Sequence, residues 1–469
     1  MQVSRRHFLK RASAVSLGFA GLYRFLDAPL SAAEIPFGYG DLVTDPEGVF
    51  DLPEGFSYQI ISRFGDTMDD GLRVPSLHDG MAAFPGPDGR TILVRNHEIS
   101  PSTGKKLGPF GDNQELFSRV DPAKVYDAGR NDVPCLGGTT TLVYNTQTQE
   151  LERHFLSLTG TIRNCAGGPT PWNTWISCEE TVITAYRPPK PGEPYYDYKP
   201  DKDHGYPFEV PATDQIGLVD PVPLREMGRF YREAIAVDPQ SGVVYQTEDR
   251  PEGALYRFIP NKPGQLVAGG RLQALVALDR KQLDTRNWQA ARVRIGESFP
   301  VTWVDMEDVE SPQDNLRLQA FSKGAALFAR GEGMWYGNHV VYFVCTTGGK
   351  SQRGQIWKYT PSPVEGTSEE AHAPGVLSLF AEPDDASILD RADNITVAPW
   401  GDVIICEDGA GKDYLVGITP EGKVYKLARN ALSSTELAGG TFSPDGSTFF
   451  VNIQGKGLTL AVTGPWRNV

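Results

Sequence analysis

Short, mainly apolar runs follow one another along the chain from about Gly38 onward, and turn-forming residues separate them. Runs of this length between turn residues are typical of β-strands. Examples are Tyr58–Arg63, Gly324–Ala329, Val340–Cys345 and Thr448–Ile453. No stretch shows the period of a long helix. The pattern therefore predicts an all-β fold.

The strand pattern repeats in a fixed order: an apolar strand, a turn with Pro and Gly, and a second apolar strand. Residues 234–249, 394–408 and 440–453 follow this order. The chain has 50 Gly and 36 Pro, whereas average usage would give roughly 33 and 23. Short strands with frequent turns indicate a propeller or a sandwich, and the repeats favour a β-propeller. Insertions such as residues 186–211 interrupt the period.

Three of the strands end in a small residue and two acids. The endings are Cys178-Glu179-Glu180, Thr247-Glu248-Asp249 and Cys406-Glu407-Asp408. Successive strand residues face opposite sides, so one acid of each pair can point to a shared centre. In a propeller the inner strand ends meet around one axis, which would gather these acids. We expect Glu179 and Glu407 to point inward first, then Asp249, Asp408 and Glu248; solvated loop charges are the alternative.

Other chemically capable residues occupy similar positions. Asn96, His97 and Glu98 end the apolar run that begins at Leu93, and Cys165 lies in a glycine-rich turn. Glycine allows backbone to approach a ligand closely, so Cys165 is a candidate metal ligand. Glu233 lies among aromatic and apolar neighbours, where its alternative role is an ion pair with an adjacent arginine, Arg229 or Arg232.

Arg330 and Glu332 flank Gly331 and would face the same side of an extended strand. A carboxylate for a metal beside a guanidinium for an oxyanion suits phosphoryl chemistry. A simple Arg–Glu ion pair is the competing interpretation.

The net charge of −14 and the pI near 5.1 argue against nucleic-acid or anionic-membrane partners. Carboxylates gathered at one centre need cations, because burying unpaired charges is costly. Ca²⁺ prefers oxygen ligands, while iron, zinc and manganese also accept Cys. The candidate set therefore suggests a hard cation site beside a softer one.

The N-terminus matches a twin-arginine export signal. Residues 4–10 read SRRHFLK, a moderately apolar stretch follows, and small residues at 31–33 would suit a signal peptidase. The apolar stretch is too short for a membrane span of roughly 20 residues. We expect residues 1–33 to be the signal, residues 34–469 to be one propeller domain, and the protein to be periplasmic or extracellular.

In order along the chain, several motifs resemble the PhoX-type alkaline phosphatase family from about Phe50 to Trp466. They are RNHE (95–98), NCAGGPTPWNTWISCEE (164–180), GRFYREAIAVDPQSGVVYQTED (228–249), FARGEGMWY (328–336) and DNITVAPWGDVIICEDG (393–409). The resemblance implies six blades and a central cluster of Fe³⁺ and Ca²⁺ that hydrolyses phosphate esters. It also implies that Cys165 bridges iron and that Arg330 and Glu332 form the family's Arg-x-Glu motif.

We therefore predict a phosphatase that hydrolyses phosphate monoesters with a metal-bound oxygen nucleophile. The predicted metal ligands are Glu98, Cys165, Glu179, Glu233, Asp249, Glu332, Glu407 and Asp408. Arg330, with Asn96 or His97, is predicted to hold the phosphate. We expect a monomer whose partners are a small phosphate ester and the twin-arginine export machinery. The alternatives are a calcium-dependent lactonase or arylesterase and a non-catalytic metal-binding propeller.

Overall fold

A computed structural model describes residues 38–100, 104–130, 134–185 and 199–467. The predicted export signal and residues 186–198 of the predicted insertion lie outside these ranges. Asp41–Val469 forms one compact unit. Its described part is nearly all β-structure, with one α-helix, α1 (Leu316–Ser322), which confirms the all-β prediction. None of the described helices is long and apolar enough to cross a membrane.

Five antiparallel sheets contain the described strands. The first segment carries β1 (Leu42–Val43), β2 (Phe50–Pro53) and β3 (Ser57–Arg63). Next come β4 (His78–Pro85), β5 (Thr91–His97), β6 (Gly137–Asn145) and β7 (Glu150–Thr161). A three-stranded sheet follows with β8 (Asn164–Pro169), β9 (Thr174–Glu179) and β10 (Pro207–Pro211).

The second half of the chain continues the same order. A nine-stranded sheet begins with β11 (Arg232–Val237), β12 (Val244–Glu248), β13 (Leu255–Pro260), β14 (Gly270–Ala277) and β15 (Ser298–Asp305). It is completed by β16 (Gly331–Gly337), β17 (Val340–Cys345), β18 (Gln355–Thr360) and β19 (Val376–Ala381). The remaining strands are β20 (Ala392–Val397), β21 (Val403–Glu407), β22 (Tyr414–Ile418), β23 (Val424–Asn430), β24 (Leu437–Phe442), β25 (Thr448–Ile453) and β26 (Leu458–Thr463).

Six strands line the axis and contact one another in a closed ring. Their order around the ring is β4, β8, β11, β16, β20 and β24, after which β24 contacts β4 again. The fold is thus a β-propeller. Because β15 pairs with β19, two groups of strands merge into the nine-stranded sheet. The hydrogen-bonded sheets therefore number five, and the six-blade count stays a prediction that the inner ring supports.

The two ends of the compact unit are joined by β-pairing. Strand β3 pairs with β26, from Ser57 opposite Thr463 to Arg63 opposite Leu458. Strand β2 pairs with β23 in the neighbouring sheet. The N-terminal strands thus cover β26 and β23 and form the new outer edges of the last two sheets.

Every inner strand contains a β-bulge near its start. The pairing register shifts at His78/Met81, Asn164/Gly167, Arg232/Ile235, Gly331/Met334, Ala392/Ile395 and Ala438/Thr441. A bulge leaves an extra residue and re-aims its side chain.

The predicted strand at Gly324–Ala329 is wrong: this segment follows α1 and forms only isolated bridges.

At the level of the bulges, small residues let the inner strands pack backbone against backbone. Gly80, Ala166 and Gly333 line this narrow space together with Gly440. A Cβ on Gly80 would lie 2.6 Å from the Cα of Ala166, and one on Gly333 would lie 2.5 Å from the carbonyl oxygen of Asp393. The inner strands therefore approach one another closely around the axis at this level.

Substituting Gly333 by Ala should destabilise the protein by about 1–3 kcal/mol, the usual cost of overpacking a tight site. Gly331→Ala, two residues earlier on the same strand, should lose less, because its nearest neighbours would lie 3.3 Å away. Thermal unfolding of the two variants under identical metal conditions measures the difference. Equal melting temperatures would contradict the close packing of the inner strands.

Candidate metal centre

The bulges place one chemically capable side chain from each of five inner strands at the same mouth of the channel. The second residue of each strand lies inside the bulge, and these residues are Asp79, Cys165, Glu233, Glu332 and Asp393. The sixth inner strand has Gly439 in its bulge, with a φ of +64°. Its acid, Glu436, comes immediately before the strand.

These side chains form a continuous series of overlapping groups. Within each group the candidate ligand atoms lie within 4.8 Å of one another. The groups are Asp79–Glu98–Cys165, Cys165–Glu180–Glu233, Glu233–Glu332–Asp393 and Asp393–Asp408–Glu436. We call these nine residues the central cluster. Cys165, Glu233 and Asp393 each belong to two groups, so the cluster runs unbroken around the mouth.

The acidic pairs divide as strand alternation requires, but the second acid faces the mouth. Glu180 and Asp408 belong to the central cluster, and Asp249 pairs with Arg330 beside it. The first acid turns back into its own sheet and accepts backbone N–H groups. These contacts are Glu179 with Ile162, Gly205 and Tyr206, Glu248 with Ala254, and Glu407 with Asp390 and Tyr414.

The prediction that Glu179 and Glu407 are cluster ligands is therefore wrong. Each is the last residue of its strand, where its carboxylate accepts the N–H groups of the following connection and cannot reach the mouth. Glu407 also pairs with Lys426, whose Nζ lies 2.9 Å from Oε1. One acid of each pair does face the mouth, as strand alternation requires, but it is the second acid of the pair and not the first.

Two arginines flank the central cluster from equivalent positions. Arg163 and Arg330 each precede an inner strand and have left-handed φ values of 51° and 55°. Arg330 donates from Nε and Nη2 to Asp249, at 2.7 and 2.8 Å, and from Nη2 to Glu332 at 2.8 Å. Its predicted ion pair with Glu332 is thus present and is shared with Asp249.

Arg163 joins the first part of the cluster. Its Nε lies 2.8 Å from Glu98, and its Nη2 lies 3.0 Å from Glu180. The Arg163 and Arg330 side chains are 37% and 35% exposed. The mouth therefore presents two partly solvated guanidinium groups to an incoming anion.

Burial and mutual repulsion raise the pKa values of several cluster acids. Burial raises the pKa of Glu233 well above its usual range, and the carboxylates of Glu332 and Glu180 raise it further. For Asp393, burial and then Asp408 raise the pKa to about 7. Burial, followed by Asp79, raises the pKa of the Cys165 thiol. Each of these groups would gain from a neighbouring cation.

Glu233 provides the clearest sign that cations fit this site. Both of its carboxylate oxygens are buried, and neither has a hydrogen-bond partner among the described residues. The alternative role, an ion pair with Arg229 or Arg232, is absent, because those arginines donate to backbone carbonyls and to Asp203 and Gln246. Eight carboxylates and one thiol match the ligands that Ca²⁺ and iron accept.

Asn96 and His97 do not face the mouth. Asn96 donates to the carbonyls of Cys165 and Ala166 at 3.1 and 2.7 Å, so it orients the Cys165 bulge. His97 is fully buried and contacts the Ser76 carbonyl and the Thr140 hydroxyl, both at 2.9 Å. Their predicted contact with phosphate is wrong, because β5 is the second strand from the axis and only Glu98, beyond its end, reaches the cluster.

The sequence prediction missed four members of the cluster: Asp79, Glu180, Asp393 and Glu436. A signal for two of them exists. The starts of five inner strands read HDGM, NCAG, REAI, GEGM and ADNI, with the ligand second and a small or polar residue third. Aligning these short starts would have identified Asp79 and Asp393. Glu436 lies outside the pattern.

Comparison with known proteins agrees with this geometry. The sequence profile of the family described as alkaline phosphatase PhoX matches residues 37–457. The chain belongs to the PhoX alkaline phosphatase family. This membership supports a phosphatase and implies metal-dependent catalysis. No curated protein sequence matches the chain.

Solved structures share the fold. The PhoX of Pseudomonas fluorescens, in complex with vanadate as a transition-state analogue, is 15% identical with a TM-score of 0.66. The match covers 91% of this chain and 98% of that one. A gluconolactonase from Xanthomonas campestris is 11% identical with a TM-score of 0.39, over 92% and 99% of the two chains. The first likeness shows that this PhoX-family chain has the propeller fold of that enzyme.

Replacing Asp393 by Asn should stabilise the metal-free protein at pH 8 and leave it nearly unchanged at pH 4. The folded-state pKa of about 7 exceeds the ordinary value of 3.8. The native state therefore binds more protons than the unfolded state between these values, and the wild-type protein loses stability as pH rises through that window. Denaturant unfolding of metal-free protein at both pH values measures the effect.

Added Ca²⁺ should reverse the order at pH 8, because only the wild-type carboxylate is a charged ligand. Asp220→Asn, at an exposed aspartate paired with Lys124, is the control and should show no such dependence. Parallel pH profiles for the wild type and Asp393→Asn would contradict the electrostatic account of the cluster.

Proposed function

We propose that this protein is a metal-dependent phosphatase that hydrolyses phosphate monoesters at the central cluster. The observation that carries the proposal is the meeting of eight carboxylates, one thiol and two flanking arginines at one mouth, in a chain of the PhoX family. Vanadate occupies the solved Pseudomonas fluorescens PhoX as a transition-state analogue, which supports phosphoryl chemistry for the family.

The central cluster is the proposed site of Ca²⁺ and Fe³⁺. Glu233, with both oxygens unpaired, and Cys165, which belongs to two groups, are the central ligands of this proposal. Thiolate favours iron, while the surrounding carboxylates suit calcium. When bound, such ions supply Lewis acidity and positive charge to a phosphoryl group.

Arg330 is the proposed phosphate-binding residue. Its Nε and Nη2 are held by Asp249 and Glu332, and Nη1 has no hydrogen-bond partner in the described part of the chain. A guanidinium fixed in this way can donate from Nη1 to a phosphate oxygen without losing rotational freedom on binding. Arg163, held by Glu98 and Glu180, offers a second positive group across the mouth.

Export by the twin-arginine route belongs to the same proposal. The signal residues lie outside the described ranges, so the proposal rests on the sequence SRRHFLK at residues 4–10. A chain that folds before export can acquire its metals inside the cell. Replacing Arg5 and Arg6 together by Lys should retain the protein in the cytoplasm, as cell fractionation would show; unchanged export would contradict a twin-arginine signal.

Arg330→Ala should keep its metals and lose roughly 100-fold or more in kcat/KM on an aryl phosphate, the scale of losing one charge-stabilising donor. Glu233→Gln should lose metal and activity together, because it removes a central ligand. Hydrolysis rates and elemental analysis of the same preparations measure both effects. Arg280→Ala, at an exposed arginine paired with Glu297, is the matched control and should behave as the parent.

Hydrolysis assays of the unmodified protein distinguish the phosphatase from the two alternatives. Hydrolysis of the aryl phosphate, with inhibition by vanadate and phosphate, supports the phosphatase. A fully metallated protein that hydrolyses a lactone or aryl carboxylic ester but no phosphate ester would favour the lactonase alternative. Inactivity towards all three would favour a metal-binding propeller without catalysis.

A further inference from the structure

A second group of candidate ligands lies outside the central cluster. Asp127, Cys135 and His204 bring one carboxylate oxygen, one sulfur and one imidazole nitrogen within 4.8 Å of one another. All three residues are at most 1% exposed. They belong to two long connections, one between β5 and β6 and the other between β9 and β10. The group therefore joins two segments that share no sheet.

The spacing of the atoms suits a tetrahedral ion. His204 Nε2 lies 3.1 Å from Asp127 Oδ2 and 3.7 Å from Cys135 Sγ. Zinc bonds of about 2.0 Å to nitrogen or oxygen and 2.3 Å to sulfur give tetrahedral edges of about 3.3 and 3.5 Å. The observed distances are thus within a few tenths of an ångström of those a bound zinc ion needs.

The other ring nitrogen of His204 is already held. Nδ1 lies 2.6 Å from Glu179 Oε1, and Glu179 also accepts from the backbone N–H groups of Gly205 and Tyr206. A carboxylate on the far nitrogen is the usual support of a metal-binding histidine, because it fixes the tautomer and the ring orientation. Asp127 is likewise oriented by the N–H of Gly129, at 2.7 Å from Oδ1.

We propose that Asp127, Cys135 and His204 bind a structural Zn²⁺ and that Glu179 is its supporting carboxylate. Nitrogen and sulfur ligands favour zinc, whereas the central cluster is almost entirely oxygen. The ion would hold together the two connections near Glu180 and Arg163. This also gives Glu179 a role, since its carboxylate faces away from the central cluster.

A metal-free alternative explains the same distances. A protonated His204 could donate to Glu179 and Asp127 while Cys135 stays a thiol, which gives a buried hydrogen-bonded network. The two accounts differ in one respect: only the zinc site contains a Cys135 thiolate bonded to a metal. The experiment must therefore detect the metal and its bond to sulfur.

The test uses the full chain with Cys165→Ala, which removes the thiol of the central cluster. This protein should bind one zinc ion per chain, and Co²⁺ in its place should give a thiolate-to-cobalt charge-transfer band. Adding Cys135→Ser should abolish the band and the bound zinc. Adding Cys178→Ser, at a fully buried cysteine on β9, is the matched control and should preserve both. Glu179→Gln should weaken zinc binding about 10–100-fold.

Elemental analysis of the wild-type protein gives a measurement that needs no variant, and it should find zinc in addition to the metals of the central cluster. Absence of zinc from protein purified and equilibrated with Zn²⁺ would overturn the proposal in favour of the hydrogen-bonded network. Retention of the cobalt band in Cys135→Ser would also overturn it. The inference does not rest on the proposed phosphatase, since zinc content is measured without reference to activity.

Discussion

Repulsion among carboxylates at one end of a narrow channel is the constraint on which the rest of this structure depends. Eight acidic side chains and one thiol share this mouth, and four of them, Asp79, Glu180, Glu233 and Glu332, are buried away from the water that would otherwise solvate them. Such a group is unstable unless it binds protons, arginines or cations. The structure contains two arginines in the mouth, Arg163 and Arg330, and their pairing leaves Glu233 uncompensated. Metal ions would offset the remaining negative charge.

The inner strands share one backbone feature, a β-bulge, that places these side chains at the mouth. A bulge at the second residue turns one side chain toward the mouth, and a small residue after it lets neighbouring strands approach. Glycine weakens an isolated strand, so ring closure must stabilise these segments. The inner strands are thus the strands whose sequences look least like β-strands, and they lie closest to the central cluster.

The unusual sequences of the inner strands explain which features could be predicted from the sequence. Strands farther from the axis are mainly apolar runs bounded by turns, and Val340–Cys345 and Thr448–Ile453 were predicted with the bounds they have. Strands β4, β8 and β16 were missed, because HDGM, NCAG and GEGM lack the apolar period of a strand. Cys165 was expected in a turn and lies in a bulged strand. The repeats indicated the propeller, whereas the phosphatase chemistry came from the family resemblance, because a fold does not determine the reaction.

The orientation of the acidic pairs cannot be predicted from the sequence of a single strand. Alternation correctly required that one acid of each pair face the axis, but it could not say which one. The choice depends on the connection that follows each strand, whose N–H groups hold Glu179, Glu248 and Glu407. Those contacts come from residues outside the strand itself, and no pattern within the strand encodes them.

The pairing of β3 with β26 determines when the site can exist during synthesis. Gln454, which lies between β25 and β26, donates to both Asp79 and Glu98 near the start of the chain. The ring that supports these residues closes only after Thr463 has been made, since β26 must find β3. A nascent chain on the ribosome therefore displays separate acids and no finished pocket. The complete cluster, with any metal ions that it binds, can therefore form only after this last strand has been made.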